Sequence, residues 1–125
     1  MLGAAIRAIL LANSAVSNLV STRIYPLVLP LQCTFPALTY SFPSDPFKIA
    51  MRSARCQISC WDSDYTNREQ LRQAVEDALR FYTGSIQGVT IEVIYPIESY
   101  DHYLDSSNGF YFAPIDFKVN YYPQR

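Results

Sequence analysis

The side chains with the most chemical reach in this chain are Cys56 and Cys60, four residues apart in the stretch RCQISCWD (55–62), with Cys33 and the single histidine, His102, elsewhere. Such groups could serve a metal site, a thiol nucleophile beside a base, or a disulfide. Local structure decides among these. On a helix the two thiols would lie about 6 Å apart along the axis, on one face. On a strand they would share a face but stand about 13 Å apart, beyond the reach of a disulfide. Ala54, Cys56, Ile58 and Cys60 alternate with Arg55, Gln57, Ser59 and Trp61. That period of two predicts a strand with one face buried, and it makes the thiols small core residues.

A zinc site needs a close ligand pair and two further ligands. Only Cys33 and His102 remain to complete one, so no metal or cofactor is expected. His102 lies between Asp101 and Asp105 ahead of the Ser/Asn/Gly run 106–109. It reads as solvated loop, because a general base needs a placed nucleophile or pocket. The 105–109 stretch lacks the residue order and closing glutamate of a calcium loop. Phosphate-cradle, dinucleotide, nucleophile-elbow and HExxH motifs are absent from the sequence, so no catalytic residue is assigned. A small enzyme using His102 with a cysteine or serine is the alternative from a different class.

The elements that must position these residues follow from the rest of the chain. Its 125 residues are half apolar and 17% charged, which fits a single folded domain spanning 1–125. Ten basic residues against eleven acidic ones leave a net charge of −1. That balance argues against a phosphate-gripping surface. Unpaired cysteines suggest a reducing compartment. Arg7 interrupts the apolar N-terminus too early for a span or an export signal. Leu2, Ala5, Ile6, Ile9 and Leu10 instead share one face of a helix ending near Asn13, after which Ser14 caps a second short helix.

RIYP (23–26) and PALTYSF (36–42) read as strands, and Pro43 and Pro46 mark a long hairpin loop over about 43–51. The clearest helix follows Trp61. Thr66 and Glu69 form a capping box, with Asp62 or Asp64 as alternative starts. Leu71, Val75, Ala78, Leu79 and Tyr82 form its apolar stripe, and Gly84 occupies the C-cap. Residues 88–97 place Val89, Ile91, Val93 and Tyr95 on one side of a strand. Residues 113–122 oppose Ile115, Phe117, Val119 and Tyr121 to Asp116, Lys118 and Asn120. These two strands pair as a hairpin, with Asn108-Gly109 favouring the reversal. The expected class is α+β: a largely antiparallel sheet of four to five strands, with an N-terminal helix and one long central helix packed on it.

Ten tyrosines, seven phenylalanines and a tryptophan exceed what a small core needs. Phe47, Trp61, Tyr100, Tyr103, Tyr111 and Tyr122 fall on outward faces or loops. Aromatic enrichment with little charge points to interfaces.

The ordered set of an apolar N-terminal helix, RIYP, PALTY, RCQISCWD running into a long helix, GVTIE and a closing DFKVNY strand covers nearly the whole chain. It resembles the tail completion proteins of long-tailed bacteriophages, also called tail terminators or tail-to-head joining proteins. The resemblance implies a non-enzymatic virion protein at the head–tail junction, assembled in the host cytoplasm. It implies a homo-oligomeric ring, usually of six copies, that ends growth of the tail tube. Its implied partners are the tail tube protein and the head–neck connector or stopper. DNA would pass through without specific binding, and no membrane is involved. Phe47, Lys48, Trp61 and Asp62 are the expected interface residues. A head-completion or stopper protein on the head side of the neck is the nearest alternative. Cys56 stands where an aliphatic residue such as valine is expected, a like-sized buried exchange.

Overall fold

The first twenty residues fold as two helices, α1 (Leu2–Ala12) and α2 (Ser14–Val20), in a computed structural model that describes residues 2–62, 64–99, 102–105 and 110–123. The axes meet at 91°. The cap between them is Asn13 rather than Ser14. Its backbone is extended and its Oδ1 accepts from the Val16 amide at 3.1 Å, so the break falls one residue earlier than expected. Leu2, Ala5, Ile6, Ile9 and Leu10 are all buried, as the spacing predicts. Among the described residues no single helix is long and apolar enough to cross a membrane.

Among the described residues seven strands follow: β1 (Ile24–Pro26), β2 (Ala37–Ser44), β3 (Arg52–Asp62), β4 (Gly84–Ile86), β5 (Val89–Ser99), β6 (His102–Asp105) and β7 (Phe110–Tyr122). A third helix, α3 (Tyr65–Leu79), lies between β3 and β4. The sheet order is β1-β2-β3-β7-β5-β4, with β6 also on β7. Among the described residues only β1 and β2 pair in parallel. The α+β class is therefore as expected, and the strand count is higher than the four to five expected. The two additional strands are β4 and β6. β4 is a three-residue arm closed onto β5 by Gln87 (φ 53) and Gly88 (φ 76), a two-residue turn with both φ values positive that suits the sheet twist. β6 continues the line of β5 along β7: Ser99 faces Ile115 and His102 faces Phe112. His102 thus sits in a strand and not in a loop. The reversal at Asn108-Gly109 lies outside the described residues.

β3 is the central element. It pairs with β2 on one side and along its whole length with β7 on the other, from Arg52 opposite Tyr121 to Asp62 opposite Tyr111. Ala54, Cys56, Ile58 and Cys60 point to the helix-covered face with Ile115, Phe117, Val119 and Tyr121 of β7. On that face they join Leu71, Val75 and Leu79 of α3 in one core. The cap of α3 is Asp64, whose Oδ1 accepts from the Asn67 amide at 2.9 Å. Glu69 turns to Arg68 and Arg72, so the Thr66/Glu69 box is not used. Nor is Gly84 the C-cap. Arg80 holds that position, Phe81 takes the left-handed conformation (φ 59), and Gly84 opens β4.

Two further departures have local causes. A bulge between Ile91 and Val93 shifts the alternation of β5, so Ile94 is buried and Tyr95 faces out. β2 runs on through Pro43 because the register shifts between Ser41 and Ser44 at that end of the strand.

Candidate interaction surface

The groups with chemical reach are placed for packing. Cys56 and Cys60 have no solvent exposure. Burial pushes the Cys60 thiol up to about 12 and drives the Cys56 thiol higher still, with Asp116 adding to the latter. Both are protonated at neutral pH, when a thiol is a poor nucleophile and a poor metal ligand. Cys33 is half-buried and donates to the Thr34 carbonyl. Among the described residues no three His, Cys, Asp or Glu side chains come together to hold a metal. The side chain of His102 lies outside the described residues, as do those of Tyr100, Tyr103 and Tyr111.

The other face of the sheet is polar and internally bonded. Ser53 bonds Asn120 at 2.7 Å. Arg55 of β3 pairs with Asp116 of β7, and Gln57 donates to the same carboxylate at 3.0 Å. These two side chains close over Asp116 and bury it, although its position in the alternation predicts an exposed acid. Trp61 donates to Thr39 Oγ1 at 3.0 Å and stacks on Phe112 with ring centroids 4.6 Å apart.

The four expected interface residues do not form one site. Trp61 and Asp62 sit at the C-terminal end of β3 and Phe47 and Lys48 just before its other end, so an 11-residue strand about 33 Å long separates the pairs. Asp62 is buried, its Oδ1 accepting from the Asp64 amide at 3.3 Å as the chain turns into α3. Trp61 is half-buried. Phe47 is 89% exposed, and its neighbour Ile49 is fully exposed.

The β2–β3 loop that carries Phe47 is tethered at its base. Tyr121 donates to Asp45 Oδ2 at 2.6 Å. Burial, and then this bond, raise the tyrosine pKa. Arg52 donates to the Lys48 carbonyl at 3.3 Å and lies 5.1 Å from the centre of the Phe47 ring. The loop thus holds two apolar side chains in water from a bonded root. Isolated exposed apolar residues are ordinary, whereas clusters on a loop mark contact surfaces.

Two more such clusters escaped the sequence reading. Leu27, Val28 and Leu31 stand out from the β1–β2 loop, the last 97% exposed. Phe81, Tyr95 and Ile97 are exposed around β5, with the Phe81 and Tyr95 rings edge to face at 6.3 Å. A signal for the first was present: residues 24–44 contain no charged side chain, yet Pro26, Pro30 and Pro36 exclude a helix or an unbroken central strand.

The fold and its surface define a small α+β domain whose accessible features, among the described residues, are apolar loops. The sequence matches the family described as tail completion protein gp17 over residues 4–108. The chain belongs to that family and is a structural protein of a phage tail, and so a virion component. Its fold is similar to that of a chain in the virion of a native gene transfer agent (GTA) particle, with a TM-score of 0.79 at 15% identity. That similarity covers 98% of this chain and 95% of the other. No curated protein matches the sequence.

Proposed function

We propose that this protein forms a ring, of six copies, on the last ring of the phage tail tube, where it ends tube polymerisation and joins the tail to the head–neck connector. The carrying observation is the family match over residues 4–108. The surface supports it: ring closure needs subunit contacts, and cap function needs two different end faces. Tethered apolar loops supply contact area, and a net charge of −1 puts little repulsion between copies. Phe47 and Lys48 belong to one contact, and Trp61 marks another at the far end of β3, where buried Asp62 holds the turn into α3. The protein acts by shape and makes or breaks no bond. DNA passes through the ring, which grips no phosphate.

Electron microscopy of virions carrying a labelled copy tests this reading. Label at the junction, on the tube side of the neck, is the expected result. Label on the portal side would transfer the protein to the head-completion class, and label along the tail would remove it from the junction.

A further inference from the structure

The charge of the chain is segregated by position in the sheet. Residues 1–44 contain Arg7 and Arg23 and no acid; residues 81–117 contain Glu92, Glu98, Asp101, Asp105 and Asp116 and no Lys or Arg. The first segment ends in β1 and β2, and the second builds β4, β5 and β6, with β3 and β7 between β2 and β5. Arg23 directs its guanidinium at the carbonyls of Pro36 and Leu19, and Arg7 at those of Ile24 and Thr22. Neither has a carboxylate partner among the described residues. Glu92 bonds the Tyr122 hydroxyl, and Glu98 has no basic partner among the described residues. Each charged region adjoins one of the apolar clusters: Leu27, Val28 and Leu31 beside β1; Tyr95 and Ile97 on β5 with Phe81 from the α3–β4 turn, where Lys118 of β7 is the cross-strand neighbour of Tyr95.

The free edge of β1 is closed to strand pairing. The Ile24 amide donates to Thr22, the Ile24 carbonyl accepts from Arg7, Pro26 has no N–H, and the Pro26 carbonyl accepts from Val28. Edges capped in this way refuse an added strand. On β5, Phe81 takes the Ile94 carbonyl and Pro96 offers no donor. Contact at the β1 edge therefore runs through side chains.

We infer that the β1–β2 loop of one copy packs Leu27, Val28 and Leu31 onto Phe81, Tyr95 and Ile97 of the next copy, with Arg23 brought toward Glu98. The occupant is a second copy of this chain, because its two clusters are both apolar and Arg7 and Arg23 beside the first complement Glu92 and Glu98 beside the second, where Lys118 offsets part of the acidic charge. Like meeting like would oppose acid to acid around β5. Two unlike patches give a head-to-tail contact, which closes into a ring or continues as a filament. The inference rests on the ring reading and names the surfaces that make the ring.

Cross-linking tests it. In a Cys33→Ser background, Val28→Cys and Ile97→Cys are made singly and together, with folding checked by circular dichroism. Each is incorporated into tails and treated with a short bis-maleimide. The double variant is expected to give a ladder of multimers, an equal mixture of the single variants a dimer, and each single variant only monomer. Dimers from either single variant alone would show like patches meeting and overturn the inference. Monomer throughout, in tails whose copy number shows a ring, would also overturn it while leaving the ring reading standing. One copy per tail would sink the ring reading first, and the inference with it.

Discussion

Raising the pH is a direct way to ask whether the two central thiols are packing groups. Burial lifts Cys60 from an ordinary 9.0 to about 12, and Cys56 further. Below the unfolded-state value both states hold their protons and the stability contribution is complete. Above it the unfolded chain releases protons that the folded chain keeps, so stability falls as pH rises toward the folded-state values. Between about pH 8 and about pH 10.5 each thiol removes about 2 kcal/mol, hence about 4 kcal/mol for the pair. With a urea slope of about 1.5 kcal/mol per molar, the unfolding midpoint drops by about 2 to 3 M. Tyrosines and lysines also titrate in this range, so the comparison is with the Cys56→Ala/Cys60→Ala double variant. That variant starts less stable and has a flatter pH dependence, by about 4 kcal/mol across the interval. Equal slopes in the two proteins, or labelling of Cys56 or Cys60 in folded Cys33→Ser protein at neutral pH, would refute the burial argument.

The remaining expectations concern caps, the buried acid and the loop. Asp64→Ala should cost about 1 kcal/mol in urea unfolding, whereas Thr66→Ala should cost no more than a few tenths, since Asp64 makes the cap. Arg55→Ala leaves Asp116 buried with fewer donors and should cost about 1 to 2 kcal/mol, the half-exposed arginine limiting the loss. Phe47→Ala and Ile49→Ser should each change stability by less than about 0.5 kcal/mol while lowering the yield of infectious particles. Loss of stability with unchanged yield would make the loop a folding element instead.

What could be read from the sequence depended on how long each pattern ran. β3 alternates over eleven residues and β7 from Ile115 to Tyr121 in sequence pattern against one continuous core, so their inward apolar residues were evident. β4 has three residues, too few for a period, and its turn is Gln-Gly rather than the commoner Asn-Gly. The β5 alternation failed after Ile91 because a bulge leaves no mark in side-chain chemistry. At α3 three acceptors competed for one cap, and the backbone at Asp64, extended at φ −106, decided the matter. Asp116 looked solvated because its cover comes from β3, 59 and 61 positions away in the chain. The contact surface was the least legible part. Exposure of Leu27 or Ile97 depends on what fails to cover them, and an apolar side chain reads alike on either side of that outcome.

Tube length in tails assembled without this protein tests the central claim most directly. If the chain caps the tube, particles lacking it should carry tubes that overrun the normal length and remain unjoined to heads, and supplying the protein should restore both. Tubes of normal, uniform length in its absence would contradict the account.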